Sequence, residues 1–201
     1  MNRQTDVVIV GTGAAGLFCA LKLPTQYKVL MLTKDEVDQS DSFLAQGGMC
    51  MLRGEEDYDS YFEDTMKAGH YENNKASVDV MIRSSNQIAQ DLIGYGVDFE
   101  RDGDELAFTR EGGHSRPRIL FHEDITGKEI TSKLLARAQE RENITILDHT
   151  MMLDIICGFS SLYYLWRGWL RRTGDPGGRW NAWNCTGRIY GICLWWTGRA
   201  L

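Results

Sequence analysis

At 201 residues, with 25% charged and 43% hydrophobic side chains, the chain has material for one domain or one and a half and reads as an ordinary globular protein. A formal charge of −6 argues against a nucleic-acid partner, and no stretch reaches the roughly 20 apolar residues that would span a bilayer, so no membrane partner is expected. Five cysteines without metal or disulfide spacing, and an opening MNRQTDVVIV too short in apolar residues for a secretory signal, point to a cytoplasmic protein without a metal site, with Cys19 and Cys50 as small core residues.

In chain order, DVVIV from Asp6 predicts a buried strand, and AAGLFCALKL after it carries apolar residues at helical spacing until Pro24 stops it. YKVLMLT predicts a second buried strand, completing a strand, glycine turn, helix, strand unit of the kind that builds parallel sheets. Residues 57–69 and 74–95 predict helices, the second with Val78, Met81, Ile82, Ile88 and Leu92 as its apolar positions. VDFERDGDELAFT predicts a hairpin around Asp102 and Gly103, followed by a helix from Thr126 to Arg141 and strands at ITIL and MMLDII. The order is that of an α/β protein with an added helical segment.

Composition then changes sharply near Cys157. Residues 1–156 hold 16 Lys and Arg against 27 Asp and Glu, a net −11, whereas residues 157–201 hold 6 against 1, a net +5. All six tryptophans, Trp166, Trp169, Trp180, Trp183, Trp195 and Trp196, lie in that tail. A genuine aromatic extension would explain it; enrichment in Trp, Arg, Gly and Cys, absence of Lys and Glu, and no clear periodicity point instead to translation of a shifted reading frame. The chain divides accordingly into 1–156 and 157–201.

The turn GTGAAG has a physical rationale. Gly11 permits a tight turn of unusual φ, Gly13 lets a phosphate approach the backbone, and Gly16 lets helix and strand pack closely. The helix start offers unpaired N–H groups and the positive end of a dipole, so a dinucleotide pyrophosphate fits. Where a ribose-binding acid is expected, the chain reads Thr33, Lys34; either Thr33 holds the ribose, or Asp35 or Glu36 reaches back.

Two further segments complete the pattern. In DSFLAQGGM, Gln46, Gly47 and Gly48 form a turn that either lies against a flat ring system or is a plain surface turn, and LAFTREGGHSRPRILFHEDITGKEI follows downstream. With VIVGTGAAGL, AQGG and TREGGHS in this order, residues 5–156 resemble the fumarate reductase and succinate dehydrogenase flavoprotein superfamily, and within it the L-aspartate oxidase branch.

The resemblance implies the N-terminal part of a Rossmann-like FAD-binding domain, α/β with a parallel sheet and added helices. It implies FAD-dependent oxidation of L-aspartate to iminoaspartate in NAD biosynthesis, with oxygen or fumarate as acceptor and quinolinate synthase as a partner. By position, it assigns Gly11, Thr12, Gly13, Ala14, Ala15 and Gly16 to the pyrophosphate, and Thr33 and Lys34 to the end of the second strand. Asp41, Ser42, Phe43, Leu44, Ala45, Gln46, Gly47 and Gly48 form its flavin segment. Asp41 matches the histidine that is bonded to the flavin in the succinate dehydrogenase branch, so a non-covalent FAD is implied. Glu111 matches the carboxylate facing the substrate ammonium, a neutral position in the dicarboxylate enzymes; its alternative is a solvated loop acid beside Arg110. His114 and Ser115 face the substrate or the flavin edge, or else are structural, and Arg116 and Arg118 read as loop charges. The family's acid/base arginine and its carboxylate-clamping histidine and arginine lie downstream and have no counterpart here, so no catalytic residue is assigned. A non-catalytic FAD-binding fragment is the alternative function; a succinate dehydrogenase or fumarate reductase flavoprotein is disfavoured by Asp41 and Glu111.

Overall fold

The computed structural model describes residues 2–157, 164–170 and 181–188, the last two stretches by their backbone. Strand β1 (Asn2–Val10) leads into helix α1 (Ala14–Lys22), strand β2 (Val29–Leu32), the short helix α2 (Asp41–Leu44) and strand β3 (Met49–Cys50). After a 3-10 turn at Glu55–Asp57 come helices α3 (Tyr58–Ala68) and α4 (Lys75–Gly94), then the short strands β4 (Arg101–Asp102), β5 (Glu105–Leu106) and β6 (Ile119–Leu120). Helix α5 (Thr126–Gln139) and strands β7 (Ile144–Leu147), β8 (Thr150–Cys157), β9 (Tyr164–Leu170) and β10 (Asn181–Arg188) follow. The chain forms two compact units, residues 1–44 with 134–201, and residues 45–133.

The first unit is built on a six-stranded sheet in the order β7-β2-β1-β10-β9-β8. Its β7, β2, β1 and β10 run parallel, with Val7, Val8, Ile9 and Val10 opposite Val29, Leu30, Met31 and Leu32. The unbroken apolar runs follow from burial on both faces: all four residues of β2 are buried, as are Val7, Val8 and Ile9. Helix α1 buries Gly16, Leu17, Ala20 and Leu21 and ends before Pro24. The expected elements of this part are all present, but β1 starts four residues earlier than its apolar run. Its upstream half pairs with β10, from Asn2 opposite Asn184. Those partners lie in the tail, whose sequence has no clear periodicity; strand pairing is made by backbone groups and needs no side-chain period.

In the second unit, α4 buries Val78, Ile82, Ser85, Ala89 and Leu92, a 4-3-4-3 spacing on one helix face. Val78 and Ile82 join Leu52, Tyr61 and Met66 in one core cluster. Met81, expected on the apolar face, is 45% exposed. Ser85 takes the buried place instead, because its hydroxyl accepts from Leu52 N at 2.9 Å and donates to Ile82 O at 2.6 Å. The expected hairpin is there as β4 and β5, turning at Gly103 with φ +64°. The antiparallel pair β3–β6, Met49 opposite Leu120 and Cys50 opposite Ile119, was not predicted.

Candidate functional site

The glycine turn leaves β1 with Gly11 at φ +106°, a conformation open to glycine and strained for any L side chain. A Cβ on Gly16 would lie 2.2 Å from the Gly11 carbonyl oxygen, so helix and turn approach too closely for any other residue. A Cβ on Gly13 would meet the Ser42 Oγ at 3.0 Å. Gly13 is the N-cap of α1 and makes no side-chain cap hydrogen bond, so the cap leaves the first-turn N–H groups for a ligand. A cavity of about 440 Å³ opens there, and its lining includes Gly11, Thr12, Gly13, Ala15 and Gly16. Thr33, Lys34, Asp41 and Ser42 line it as well, while Ala14 opens α1 beside them.

The residues offered for the ribose occupy different places. Thr33 and Lys34 line the cavity, whereas Glu36 holds its carboxylate 3.1 Å from His149 Nε2 and Asp35 accepts from Glu36 N. Asp41, Ser42, Phe43 and Leu44, the start of the segment that the resemblance assigns to the flavin, form α2; Ser40 starts it by accepting from Phe43 N at 3.2 Å.

In the second unit, AQGG and TREGGHS come together. A Cβ on Gly47 would stand 3.8 Å from Glu111 Oε2, so the carboxylate lies over the Gly47 backbone. Gly48 is glycine for another reason, since a Cβ there would lie 2.1 Å from Leu120 O across the β3–β6 pair. Ala45 accepts from Gly127 N at 3.0 Å, and Gln46 is exposed. Glu111 is exposed, Gly113 has φ +94°, and His114 is half-buried with Nε2 3.4 Å from Cys50 Sγ. Ser115 is held by Asp64, to which it donates from N at 2.7 Å and from Oγ at 2.8 Å.

Arg118 corrects the reading of a loop charge: it is fully buried. Its Nε and Nη2 donate to Asp57 at 3.0 and 2.9 Å, Nη1 donates to Asp64 at 2.6 Å, and Nη2 donates to Ser60 at 2.8 Å. The guanidinium also lies 5.0 Å from the centre of the Tyr61 ring. A buried charge on this scale requires such pairing. Burial pushes the Asp57 carboxyl up, but hydrogen bonds from Arg118 and Ser60 outweigh it and hold the group below the usual carboxylate range. Asp64 is likewise lowered, burial being outweighed by the Ser115 backbone, Arg118 and the Ser115 hydroxyl. Burial pushes the Cys50 thiol up. The partners Asp57, Ser60 and Asp64 were not singled out from the sequence, although their 3-4 spacing sets them on one helix face.

A parallel β–α–β unit whose glycine turn and uncapped helix start open on a cavity defines a dinucleotide-binding protein. The chain belongs to the FAD-binding domain family, which matches residues 6–160. It is 44% identical over 155 residues to an L-aspartate oxidase of Clostridium perfringens, covering 77% of this chain and 35% of that protein. It is 40% identical over 157 residues to one of Acinetobacter baylyi, covering 77% of this chain and 29% of that protein. The chain thus spans about a third of the length of these relatives. Among solved structures, a quinol fumarate reductase of E. coli aligns with a TM-score of 0.81 at 22% identity, over 96% of this chain and 32% of that one. Sdh1 of Mycobacterium smegmatis aligns at 0.80 and 23%, over 92% and 33%. At these identities the likeness shows the fold.

The residues present fit FAD. Thr12 Oγ1 is buried without a partner among the described residues, next to the uncapped helix start and on the cavity wall. A phosphate oxygen is the acceptor such a hydroxyl and such N–H groups require.

Proposed function

We propose that this chain is the N-terminal, cofactor-holding part of an L-aspartate oxidase, which converts L-aspartate to iminoaspartate in NAD biosynthesis. The observation that carries the proposal is the Glu111 carboxylate lying over the Gly47 backbone, since it sets a negative charge beside the segment read as flavin-facing. Bound FAD supplies the two-electron acceptor, and oxygen or fumarate takes the electrons on to give peroxide or succinate. The turn Gly11–Gly16 holds the pyrophosphate at the start of α1, with the Thr12 hydroxyl as a further donor. Asp41 has no nucleophilic ring nitrogen to bond the flavin, so the cofactor is non-covalent. Glu111 pairs the substrate ammonium, which a desolvated amino acid requires and a dicarboxylate does not. The imine passes to quinolinate synthase, and the cytoplasm is the compartment we assign; among the described residues no helix is long and apolar enough to cross a membrane.

The test joins residues 1–156 to the downstream region of the Clostridium perfringens relative and follows peroxide formed from L-aspartate. Activity is expected, with Glu111→Gln lowering kcat/KM for L-aspartate by at least about tenfold while fumarate remains an acceptor. Equal losses for both would make Glu111 a loop-holding residue; no aspartate turnover in the parent chimera would overturn the assignment.

A second reading of the 201-residue chain is a flavin-binding module without turnover of its own, supported by the glycine turn and cavity at the start of α1. Residues 157–201 are proposed to come from a shifted reading frame, supported by the reversal of charge and by the family match ending at residue 160. Sequencing the locus decides it. A downstream frame encoding the family's arginines, joined after Cys157, is expected, and a clean stop without one refutes the shift.

A further inference from the structure

Beside His114 lies a second cavity, of about 460 Å³, lined among others by Cys50, Tyr61, Asp64, Gly112 and Gly113. The imidazole is held at both nitrogens: Arg118 Nη1 stands 3.2 Å from Nδ1, and Cys50 Sγ stands 3.4 Å from Nε2. The edge of the Tyr61 ring packs against it, centroids 6.4 Å apart at 69°. A guanidinium has five donors and no acceptor, and it stays charged at every pH a folded protein meets. Nδ1 facing Arg118 must therefore be the lone-pair nitrogen, and in the neutral ring the proton sits on Nε2.

We infer that Arg118 is a positioning residue that locks His114 as its Nε2–H tautomer, so that the ring turns an N–H, donated to Cys50 Sγ on the cavity wall, rather than a base toward the cavity. The lock is rigid because Arg118 is itself fixed, buried and tied to Asp57, Ser60 and Asp64 on one helical stretch. Among the described residues, Arg118, Asp64, Cys50 and Tyr61 lie about the ring or line its cavity, with Asp57 and Glu111 acting on Tyr61 and Cys50, and Arg118 is the hydrogen-bond partner at Nδ1. With Nδ1 accepting from Arg118 and Nε2–H on Cys50 Sγ, the ring has no free lone pair with which to remove a proton from an amine. That last consequence rests on the reading that residues 111–115 face the substrate, whereas the tautomer itself does not.

The experiment is a long-range proton–nitrogen correlation spectrum of the 201-residue chain carrying ¹⁵N-histidine. The chain has four histidines, and His114→Gln identifies the resonance. A single species is expected, with Nδ1 at the unprotonated position and Nε2 at the protonated one. A ring protonated on Nδ1, or an even mixture, overturns the inference. Arg118→Met is expected to release the lock and give both tautomers, and the double variant Asp57→Asn with Arg118→Met asks the same without leaving the Asp57 charge buried and unpaired. Unchanged Nε2–H purity in whichever of these keeps its circular dichroism shows that Arg118 is not the cause. If neither stays folded, the unsubstituted spectrum alone decides. The chimera assay judges the substrate-facing reading separately, so the two can fail independently.

Discussion

Gly16 has room for one hydrogen and nothing larger, which makes it the sharpest residue-scale test of the nucleotide turn. Gly16→Ala is expected to cost about 1–3 kcal/mol, the usual toll of overpacking, read as a lower urea midpoint. Gly13→Val is expected to abolish FAD binding in the chimera, because its branched side chain fills the approach to the backbone; unchanged flavin affinity would refute the turn's assignment. For Asp57 and Asp64 the folded carboxyls lie below their ordinary value of 3.8. The unfolded chain therefore binds more protons near that pH, so the stability they contribute is present above about pH 4 and is lost as pH falls through the lower folded values. Urea midpoints should be flat between about pH 5 and 7 with respect to this pair and drop below about pH 4; a midpoint indifferent to acid would contradict the buried clasp. The glycines were legible because their role is set by backbone geometry within six residues. Arg118 was not, because its burial depends on carboxylates 54 and 61 residues away.

At the scale of elements, α4 shows which signals travel in a sequence. Val78, Ile82 and Leu92 of its buried face and its start at Asn74 were readable, whereas Met81 was not, and the start is fixed by a side chain that accepts from Ser77 N at 3.0 Å. Asn74→Ala is expected to destabilise by about 1 kcal/mol and Ile82→Ala by about 2–5 kcal/mol, measured by urea unfolding of the same chain. A larger loss at the cap than at the core would mean that α4 is held by its end rather than its face. The pair β3–β6 was illegible for the opposite reason, since two residues per strand carry no period. Helix α2, at four residues, lies below what helical spacing can reveal. Strands β9 and β10 escaped because their pairing is carried by the backbone in a segment whose composition breaks from the rest.

For the whole molecule, the 201-residue chain is expected to show no measurable L-aspartate oxidation. Holding a substrate in near-attack geometry contributes as much as about 7–11 kcal/mol of barrier lowering; the chain spans about a third of the length of its L-aspartate oxidase relatives, and none of its residues is assigned as the carboxylate clamp that the resemblance implies. Peroxide production equal to the chimera's would overturn that. The Arg118 clasp has a consequence of another kind. The tip of the β4–β5 hairpin, residues 101–105, is exposed on both sides of Gly103, the sort of place a protease nicks first. A cut there leaves Asp57, Ser60, Asp64 and β3 on one piece and Arg118 with β6 on the other. The buried ion pairs and the β3–β6 ladder then bridge the scission, so the two polypeptides should run as separate bands in denaturant yet elute together from a sizing column in its absence.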